Sequence, residues 1–550
     1  MFTIKVEYKS NVYSYPKGIT LLEISSQFKD EYKYDIIIGT VNNKLTELNA
    51  KVDRDCIIDF FDISYLLGNR VYERGLVYLY TKAVQDVLQS EVLVEHSIDR
   101  GLYTTLTGVL EITDDVVNKI DNRMRELVNL KITFEKLSVS RLEAIDYFEA
   151  NKRIDIAESL RYISNTYINL YRLDNSYDFL YGEMPIDTSY LKYFELTRVE
   201  NKGIVLRFPN LYLSCDMAPY IHHNKLFREF EKYNDWCSKL NLTNVSDLNE
   251  AISAGHITDL IYMCEVEQNG RLIEIAKTIN DNPNFKIILI AGPSSSGKTT
   301  TSKKLCLFLR SMGIIPHLLS IDDYFLDRES TPLKKDGKPD FESIAAVNID
   351  LFNEHLRKLL NNEEVQLPKY NFITGKNELT KNKLKLGEKD ILVIEGLHAL
   401  NDELIKTIDN NQKYKIYISP LTNISLDNHN RISTSDNRLL RRMIRDNKYR
   451  GYTADVTLSK WQDVREGEEK HVFPYQDAAD IVFNTSLVYE LGILRLYAEP
   501  LLFSVGEDNK YYGESLRLLN ILRNILPITS KSVPLDSIIR EFIGNSYFRN

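Results

Sequence analysis

One strand, loop and helix near the middle of the chain constrain its fold most strongly. Phe285–Ala291 is an apolar run typical of a buried strand, Gly292–Thr299 reads Gly-Pro-Ser-Ser-Ser-Gly-Lys-Thr, and Thr300–Ser311 has helical spacing. The loop is a full G-x-x-x-x-G-K-[ST] motif in the strand-to-helix context that it needs. This segment predicts a phosphate-binding loop at the edge of an α/β sheet. A chance Gly/Ser-rich turn is the weaker alternative.

Each residue type in this loop has a chemical role. Glycines let backbone N–H groups converge on phosphate oxygens, and the N-terminus of the helix adds positive potential. Lys298 is placed to reach the β- and γ-phosphates, and Thr299 offers a hydroxyl to Mg²⁺. We therefore expect ATP and Mg²⁺ as cofactors. The expected ATP-binding residues are Gly292, Pro293, Ser294, Ser295, Ser296, Gly297, Lys298, Thr299 and Thr300.

The chain after the loop alternates apolar strands with amphipathic helices. His317–Ile321 and Asp390–Ile394 read as strands, whereas Leu351–Asn361 and Asn437–Asp446 read as helices. Such alternation is typical of an α/β fold with a parallel sheet.

Acidic residues end both of these strands. Asp322 and Asp323 follow the first strand, and Glu395 ends the second. Open α/β sheets bind their ligands at the carboxyl ends of the strands. Asp322 is therefore a candidate for the general base that takes the proton of an attacking hydroxyl. The alternative is a solvated strand end or a helix cap. The candidate catalytic residues are Asp322 and Lys298, and the candidate metal ligands are Thr299, Asp322 and Glu395.

A row of arginines follows at helical spacing, and a further arginine lies in a Gly-containing loop. They are Arg438, Arg441, Arg442, Arg445 and Arg450. Like charges on one helical face repel each other, so the row favours anionic partners. Phosphoryl oxygens under a closing lid are the candidates. The alternative is a solvated basic face paired with Asp436 and Asp446.

These motifs together carry a family resemblance. In order they are the phosphate loop, Ser320-Ile-Asp-Asp-Tyr-Phe325, Leu367-Pro-Lys-Tyr-Asn-Phe372, Ile394-Glu-Gly396 and Asn437–Asp446. The stretch from about residue 286 to 502 resembles the uridine kinase and phosphoribulokinase family. The resemblance implies that Asp322 is the catalytic base and that Thr299 and Glu395 lie near Mg²⁺. It also implies that Arg442, Arg445 and Arg450 hold phosphates.

The resemblance extends to the acceptor. It implies that Glu342 binds the ribose hydroxyls and that Tyr370 and Phe372 wall the base pocket. The sequence departs from the uridine kinase pattern at Gly375, where those enzymes have a histidine, and at Tyr452, where they have a lid arginine. Both positions bear on the nucleoside, so the resemblance leaves base specificity open.

The chain before the kinase-like part predicts three further regions. Residues 1–63 have the ββαβ order of a ubiquitin-like β-grasp and resemble the TGS domain. Residues 64–209 form an α+β region that resembles the second additional domain of threonyl-tRNA synthetases, and residues 210–284 read as a helical connecting region. Residues 285–550 are then the kinase-like domain with a C-terminal helical extension.

The synthetase-like region lacks the residues of an editing site. Those sites carry H-x-x-x-H and C-x-x-x-H, whereas this chain has Arg74 and Tyr78, and Leu180 and Met184, at the matching places. The sequence therefore predicts neither zinc nor hydrolysis of misacylated tRNA there. The combination of regions resembles a bacterial group of long uridine-kinase-like nucleoside kinases.

Composition limits the other functions. Of the 550 residues, 69 are Lys or Arg and 78 are Asp or Glu, so the net charge is −9 and bulk nucleic-acid coating is disfavoured. The N-terminal segment lacks the apolar core of a signal peptide, and no stretch of the sequence reaches the roughly 18 consecutive apolar residues that a membrane span requires. Five dispersed cysteines indicate reduced thiols. We expect a cytoplasmic protein.

The sequence Asn118-Lys-Ile-Asp121 matches the N-K-x-D motif that reads guanine in GTPases. It lies in an amphipathic helix far upstream of the phosphate loop, so a coincidental match is favoured over a GTPase.

Two functions remain. The first is an ATP- and Mg²⁺-dependent kinase of a nucleoside 5′-hydroxyl, uridine or cytidine first, with a phosphorylated sugar as a variant acceptor. The second is a nucleotide-responsive RNA- or ribosome-associated regulator. Asp322 favours the kinase, and the acidic pI weakens the regulator. Oligomeric state is left open.

Overall fold

The computed structural model describes residues 3–99, 101–200, 202–213, 215–217, 219–334, 337, 339–371, 374–405 and 408–548.

Alternating apolar residues near the N-terminus form a small mixed sheet. The first elements are β1 (Thr3–Tyr8), β2 (Asn11–Pro16), β3 (Ile19–Thr20), α1 (Leu21–Ser25), β4 (Ile38–Val41), β5 (Lys44–Thr46), β6 (Lys51–Val52) and β7 (Cys56–Phe61). The main sheet has the order β2-β1-β7-β4-β5, and only β1 and β7 pair in parallel. Leu21 and Ile24 of α1 pack into its core.

The next region contains two antiparallel sheets and four helices. Its elements are α2 (Leu66–Leu88), β8 (Val92–Ile98), β9 (Gly101–Leu106), α3 (Asp114–Leu130), β10 (Glu135–Ser140), α4 (Arg141–Ala150), α5 (Ile154–Arg161), β11 (Tyr167–Leu173), β12 (Ser176–Asp178), β13 (Glu195–Val199) and β14 (Gly203–Arg207). The sheets have the orders β13-β14-β9-β8 and β10-β11-β12. Helix α3 begins after Thr113, whose hydroxyl caps it by accepting from the N–H of Val116.

Three helices lead into the parallel sheet. They are α6 (Asn224–Lys239), α7 (Val245–Ser253) and α8 (Ile257–Asn280). The sheet and its surroundings comprise β15 (Ile287–Ala291), α9 (Lys298–Ser311), β16 (Ile315–Ser320), α10 (Ile349–Leu360), β17 (Val365–Asn371), β18 (Lys376–Leu384), β19 (Asp390–Glu395), β20 (Lys413–Ser419), α11 (Thr434–Arg450), α12 (Ala454–His471), β21 (Ile481–Asn484), α13 (Glu490–Phe503), α14 (Tyr512–Arg523) and α15 (Arg540–Ile543).

The parallel sheet has the order β16-β19-β15-β20-β21, with β15 at its centre. Every residue of β15 is buried, which explains its continuous apolar sequence. Leu272 and Ile275 of α8 share one core with Ile288 and Ile290 of β15. The helix that precedes the sheet in the chain therefore covers one of its faces.

The predicted α/β architecture with a parallel sheet is confirmed, with some local differences. Strand β4 begins only at Ile38, because the N–H of Tyr34 bonds the Asp62 carboxylate instead of a strand neighbour. The hairpin of β17 and β18 was not predicted, since its second strand lacks apolar alternation. The regions bounded at 63, 209 and 284, and their resemblances, stay predictions. No helix in the described ranges is long and apolar enough to cross a membrane.

A buried charge cluster joins α5 and β12 to the segment between β20 and α11. Arg153 pairs with Asp155 at 3.0 Å, and the His429 ring bonds Asp178 at 2.6 Å. Burial raises the pKa of Asp427 to about 7, and the neighbouring carboxylates of Asp155 and Asp178 add to that rise. Arg153 opposes the effect of burial on the pKa values of Asp155 and Asp427 and lies 3.9 Å from Asp178, so the three carboxylates share one guanidinium.

Replacing Arg153 by Met is expected to destabilise the protein by about 3–5 kcal/mol, because it leaves buried carboxylates uncompensated. The measurement is the midpoint of the first transition in urea. Arg161→Met is the matched control, since Arg161 pairs with Glu149 on the surface and its loss should cost less than about 1 kcal/mol. Equal effects of the two substitutions would contradict the role given to the cluster.

Candidate active site

Two glycines shape the phosphate loop, residues 292–299, which joins β15 to α9. A Cβ at Gly292 would lie 2.2 Å from the carbonyl oxygen of Ile418 on β20. Gly297 has a φ of +86°, and a Cβ there would lie 2.6 Å from Ile538. Neither position can hold a side chain without displacement or strain. Packing therefore requires the same glycines that phosphate binding would.

Side chains hold the loop from outside through three consecutive carbonyl oxygens. The bonds are Arg438 Nε to Ser294 O at 2.9 Å, Arg441 Nη1 to Ser295 O at 3.4 Å, and Thr485 Oγ1 to Ser296 O at 2.6 Å. Thr485 follows β21, and both arginines lie on α11. Two separate elements therefore fix the path of the loop.

The two arginines belong to buried ion pairs. Arg438 pairs with Glu468 of α12, and Arg441 donates to Glu490 of α13 at 2.9 Å. Glu468 also accepts from the N–H of Ser294 at 2.8 Å. The two guanidinium groups are at most 1% exposed. The prediction that the whole row seeks phosphoryl oxygens is therefore wrong for Arg438 and Arg441, whose anionic partners are protein carboxylates.

The other three arginines of the predicted set converge on one carboxylate. Asp446, 1% exposed, lies 3.2 Å from Arg442, 3.0 Å from Arg445 and 3.3 Å from Arg450. Arg442 also donates to the hydroxyl of Ser294 at 2.7 Å. Three guanidinium groups therefore share the Asp446 carboxylate beside the phosphate loop, and the charges of Glu342 and Glu468 also act on Arg442. That these arginines hold phosphates stays a prediction.

Lys298, Asp322 and Glu395 lie within electrostatic reach of one another. Lys298 donates to the carbonyl oxygens of Gly292 and Pro293 at 3.0 and 3.1 Å, and burial lowers its pKa. Burial also raises the pKa of Asp322, and Lys298 opposes that rise. For Glu395, burial and then the charge of Asp322 raise the pKa to about 7.

The strand register explains why two of these acids meet. Ser320 and Glu395 are partners on the parallel strands β16 and β19, and the Ser320 hydroxyl donates to Glu395 at 3.0 Å. Asp322 follows Ser320 in a short 3₁₀ turn. The next residue, Asp323, pairs with Lys369, whose ammonium lies 3.0 Å from its carboxylate.

The donor set suits Mg²⁺ and a nucleotide. Thr299, Asp322 and Glu395 offer hard oxygen ligands, and the two carboxylates repel each other in a way that a cation would relieve. Over the described ranges no group of three or more His, Cys, Asp and Glu side chains is arranged to hold a metal ion. Mg²⁺ in phosphate sites needs fewer protein ligands, since phosphate and water oxygens complete its shell.

The predicted acceptor residues lie near this centre. Burial raises the pKa of Glu342 to about 7, and the charge of Arg442 opposes the rise. Glu342 packs on Gly467 of α12, where a Cβ would lie 2.5 Å from its own Cβ. Tyr370 is buried and meets the Phe325 ring edge-on at 5.6 Å. Phe372 lies outside the described residues.

An arginine fills the place that the resembled enzymes give to histidine. Gly375 has a φ of +70°, and a Cβ there would lie 2.7 Å from Nε of Arg328. The N–H of Arg328 donates to the carbonyl oxygen of Gly375 at 2.8 Å. At the other departure, the N–H of Tyr452 bonds the carbonyl oxygen of Asp446 at 3.2 Å.

The segments matched to an editing site do meet in space. The Arg74 guanidinium lies against Gly182, where a Cβ would be 2.7 Å from it. Tyr78 bonds backbone carbonyls, while Leu180 and Met184 are buried. The place thus holds an arginine, a tyrosine and two apolar side chains. That it binds no zinc stays a prediction.

Several residues at the site were not predicted from the sequence. Glu468, Glu490 and Thr485 hold the loop or its arginines, and Glu541 of α15 accepts from the N–H of Thr300 at 3.0 Å. His398 is 2% exposed, and burial lowers its pKa to about 4. None belongs to a local pattern. The only signal for His398 was its position three residues after Glu395.

Two solved structures match part of this chain. A possible uridine kinase from Bacillus stearothermophilus is 21% identical, covers 40% of this chain and all of its own, and has a TM-score of 0.26. A putative fructose transport system kinase from Silicibacter sp. TM1040 is 15% identical, covers 38% of this chain and 98% of its own, and has a TM-score of 0.28.

Sequence relatives match the same region. Residues 287–489 match the Phosphoribulokinase / Uridine kinase family. The uridine kinase of Anoxybacillus flavithermus is 29% identical over 199 residues, which are 36% of this chain and 84% of that protein. The uridine kinase of Oceanobacillus iheyensis is 27% identical over 198 residues, with coverages of 36% and 84%. Residues 287–489 are therefore a P-loop phosphotransferase domain of the phosphoribulokinase and uridine kinase family.

Proposed function

We propose that this chain transfers the γ-phosphoryl group of ATP to the 5′-hydroxyl of a ribonucleoside, with uridine and cytidine as the first acceptors to test. The observation that carries this proposal is the grouping of Lys298, Asp322 and Glu395 beside the phosphate loop. A nucleotide switch needs no carboxylate on the acceptor side, whereas phosphoryl transfer to a hydroxyl does. The experiment that tests this proposal measures ATP turnover with each member of a panel of nucleosides and sugar phosphates as the acceptor.

The residues divide the work of the reaction among them. Lys298 and the N-terminus of α9 bind the phosphates and balance their charge. Asp322 accepts the proton of the acceptor hydroxyl, and its raised pKa makes it a stronger base than a solvated carboxylate. Thr299, Asp322 and Glu395 would hold Mg²⁺, which neutralises phosphate charge when bound.

Arginines complete the phosphate side. Arg442, Arg445 and Arg450 share the Asp446 carboxylate beside the loop, and their guanidinium N–H groups would make charge-assisted bonds to the transferred phosphoryl group. The same arginines would hold the phosphate of a phosphorylated sugar. A phosphorylated sugar is the second candidate acceptor, because residues 287–489 match a family of phosphoribulokinases as well as uridine kinases.

On the acceptor side, Glu342 would bind two vicinal ribose hydroxyls. Tyr370 would wall the base without reading its edge, and the space beside Gly375 holds Arg328 in place of a histidine. Ribose is then required more strictly than base identity, because a buried polar partner left unpaired costs more than an apolar mismatch.

Lys298→Ala is expected to lower ATP turnover by at least about 10²-fold, since catalysis of phosphoryl transfer depends on charge stabilisation at the phosphates. The measurement is steady-state turnover with the best acceptor, with circular dichroism to establish folding. Lys358→Ala, at an exposed lysine of α10 paired with Glu354, is the control. Near-normal turnover in folded Lys298→Ala would contradict the proposed reaction.

Asp322→Asn is expected to keep ADP affinity and to lower kcat by about 10²–10⁴, the range for a lost general base. Calorimetry gives the affinity and acceptor-saturated kinetics give kcat. The adjacent control is Asp323→Asn, which removes a pair with the exposed Lys369 and a charge that adds to the effect of burial on the pKa of Asp322. If Asp323→Asn loses kcat while Asp322→Asn keeps it, the base has been assigned to the wrong carboxylate.

The KM for the ribonucleoside is expected to fall as the pH rises from about 6 to about 8, because only ionised Glu342 accepts from both hydroxyls and its pKa is about 7. Glu342→Gln should raise KM and flatten this profile. Ribonucleosides should also exceed 2′-deoxyribonucleosides in kcat/KM. Equal efficiency on uridine and deoxyuridine would rule out this acceptor pocket.

A further inference from the structure

We infer that Glu541 of the C-terminal segment, residues 534–548, closes the nucleotide site of the free protein and that nucleotide binding must displace its carboxylate. The inference rests on the proposed use of the phosphate loop for a nucleotide. The residue that carries the inference is Glu541, whose carboxylate accepts a hydrogen bond from a backbone N–H that a bound phosphate would use.

The contact lies at the first turn of α9. Glu541 Oε2 accepts from the N–H of Thr300 at 3.0 Å. The N–H groups of the first helical residues have no partner within the helix, and in a phosphate loop they bind phosphate oxygens. One N–H cannot serve a carboxylate and a phosphate together. The Glu541 carboxylate therefore stands in for a phosphate at this position.

Charge makes the two anions incompatible beyond this one bond. Burial lowers the pKa of Lys298, and Glu541 is among the carboxylates that oppose that effect. Glu541 also adds to the burial and the Asp322 charge that raise the pKa of Glu395. A phosphate arriving at Lys298 would meet this additional negative charge. Removal of Glu541 from the site relieves the repulsion.

The segment is held by the same elements that form the site. Ile538 packs on Gly297 of the loop, and Phe542 lies under the Arg441 guanidinium at 5.0 Å. Lys448, in the last turn of α11, donates to the carbonyl oxygen of Ile543 at 2.6 Å. The segment thus ties α9 and the loop to the end of α11 that carries Arg450.

These attachments differ in strength. Ile538 and Phe542 are fully buried, so the apolar part of the segment is firmly seated. Glu541 is only partly buried, and its known bond is to a single backbone N–H. Withdrawal of the carboxylate therefore needs a change in α15 without loss of the whole segment. The apparent affinity for nucleotide is reduced by the fraction of molecules in the open state.

The test is the affinity of the full chain for ADP, measured by calorimetry without an acceptor. Glu541→Ala is expected to bind ADP about tenfold more tightly than the unmodified protein, the gain for a closed state that is populated to about 90%. Glu499→Ala, which removes a surface acid of α13 paired with Arg495, should leave the affinity unchanged.

Hydrogen exchange in the unmodified protein gives an independent measurement. The amides of residues 538–544 are expected to exchange faster when ADP is saturating. Equal ADP affinities for folded Glu541→Ala and the unmodified protein would overturn the inference, and so would greater protection of residues 538–544 with ADP. Loss of ADP binding in every protein, including the unmodified one, would instead refute the proposed function.

Discussion

The geometry of the phosphate site depends on two buried ion pairs, Arg438 with Glu468 and Arg441 with Glu490. Taking four charges out of water costs several kcal/mol per ion, and an isolated pair seldom compensates for this. Here the remaining donors are used as well, because the arginines also bond the carbonyl oxygens of the loop and of Thr485. The same hydrogen bonds therefore satisfy the buried guanidinium groups and fix the shape of the loop. We attribute to the pairs a gain in geometric definition rather than in net stability.

Local patterns predicted the centre of the site, whereas its support could not be predicted. The loop, Asp322 and Glu395 each sit at the end of a strand, and adjacent parallel strands bring such ends together. Periodicity gave the correct helical face for Arg438 and Arg441 but the wrong partners. Their carboxylates lie 30 and 49 residues further along the chain, on other helices. Glu541 lies 241 residues from Thr300. Amphipathic spacing reports which face of an element is buried, and it carries no information about which distant charge meets it.

The distribution of charge separates the site from the rest of the surface. The chain as a whole has a net charge of −9. Beside the loop, Lys298 and three arginines lie among the carboxylates of Asp322, Glu342, Glu395 and Asp446. The global charge therefore disfavours a polyanion along the surface, while the cationic groups beside the loop suit a small phosphate compound inside. Burial has a second effect there, because it raises the pKa values of Asp322, Glu342 and Glu395 together. Basic and acidic groups in this centre influence one another through a medium that screens them weakly.

The position of α8 has a consequence for synthesis on the ribosome. This helix leaves the exit tunnel before β15 and presents Leu272 and Ile275, which cover one face of that strand. The edges of β15 have no such early partner, because β19 and β20 follow only at residues 390–395 and 413–419. At about 5–20 residues per second, the roughly 100 residues before β19 take about 5–20 s to translate. During that interval the nascent chain exposes both edges of its most apolar strand. Chaperone engagement should therefore be concentrated in this window rather than spread along the chain.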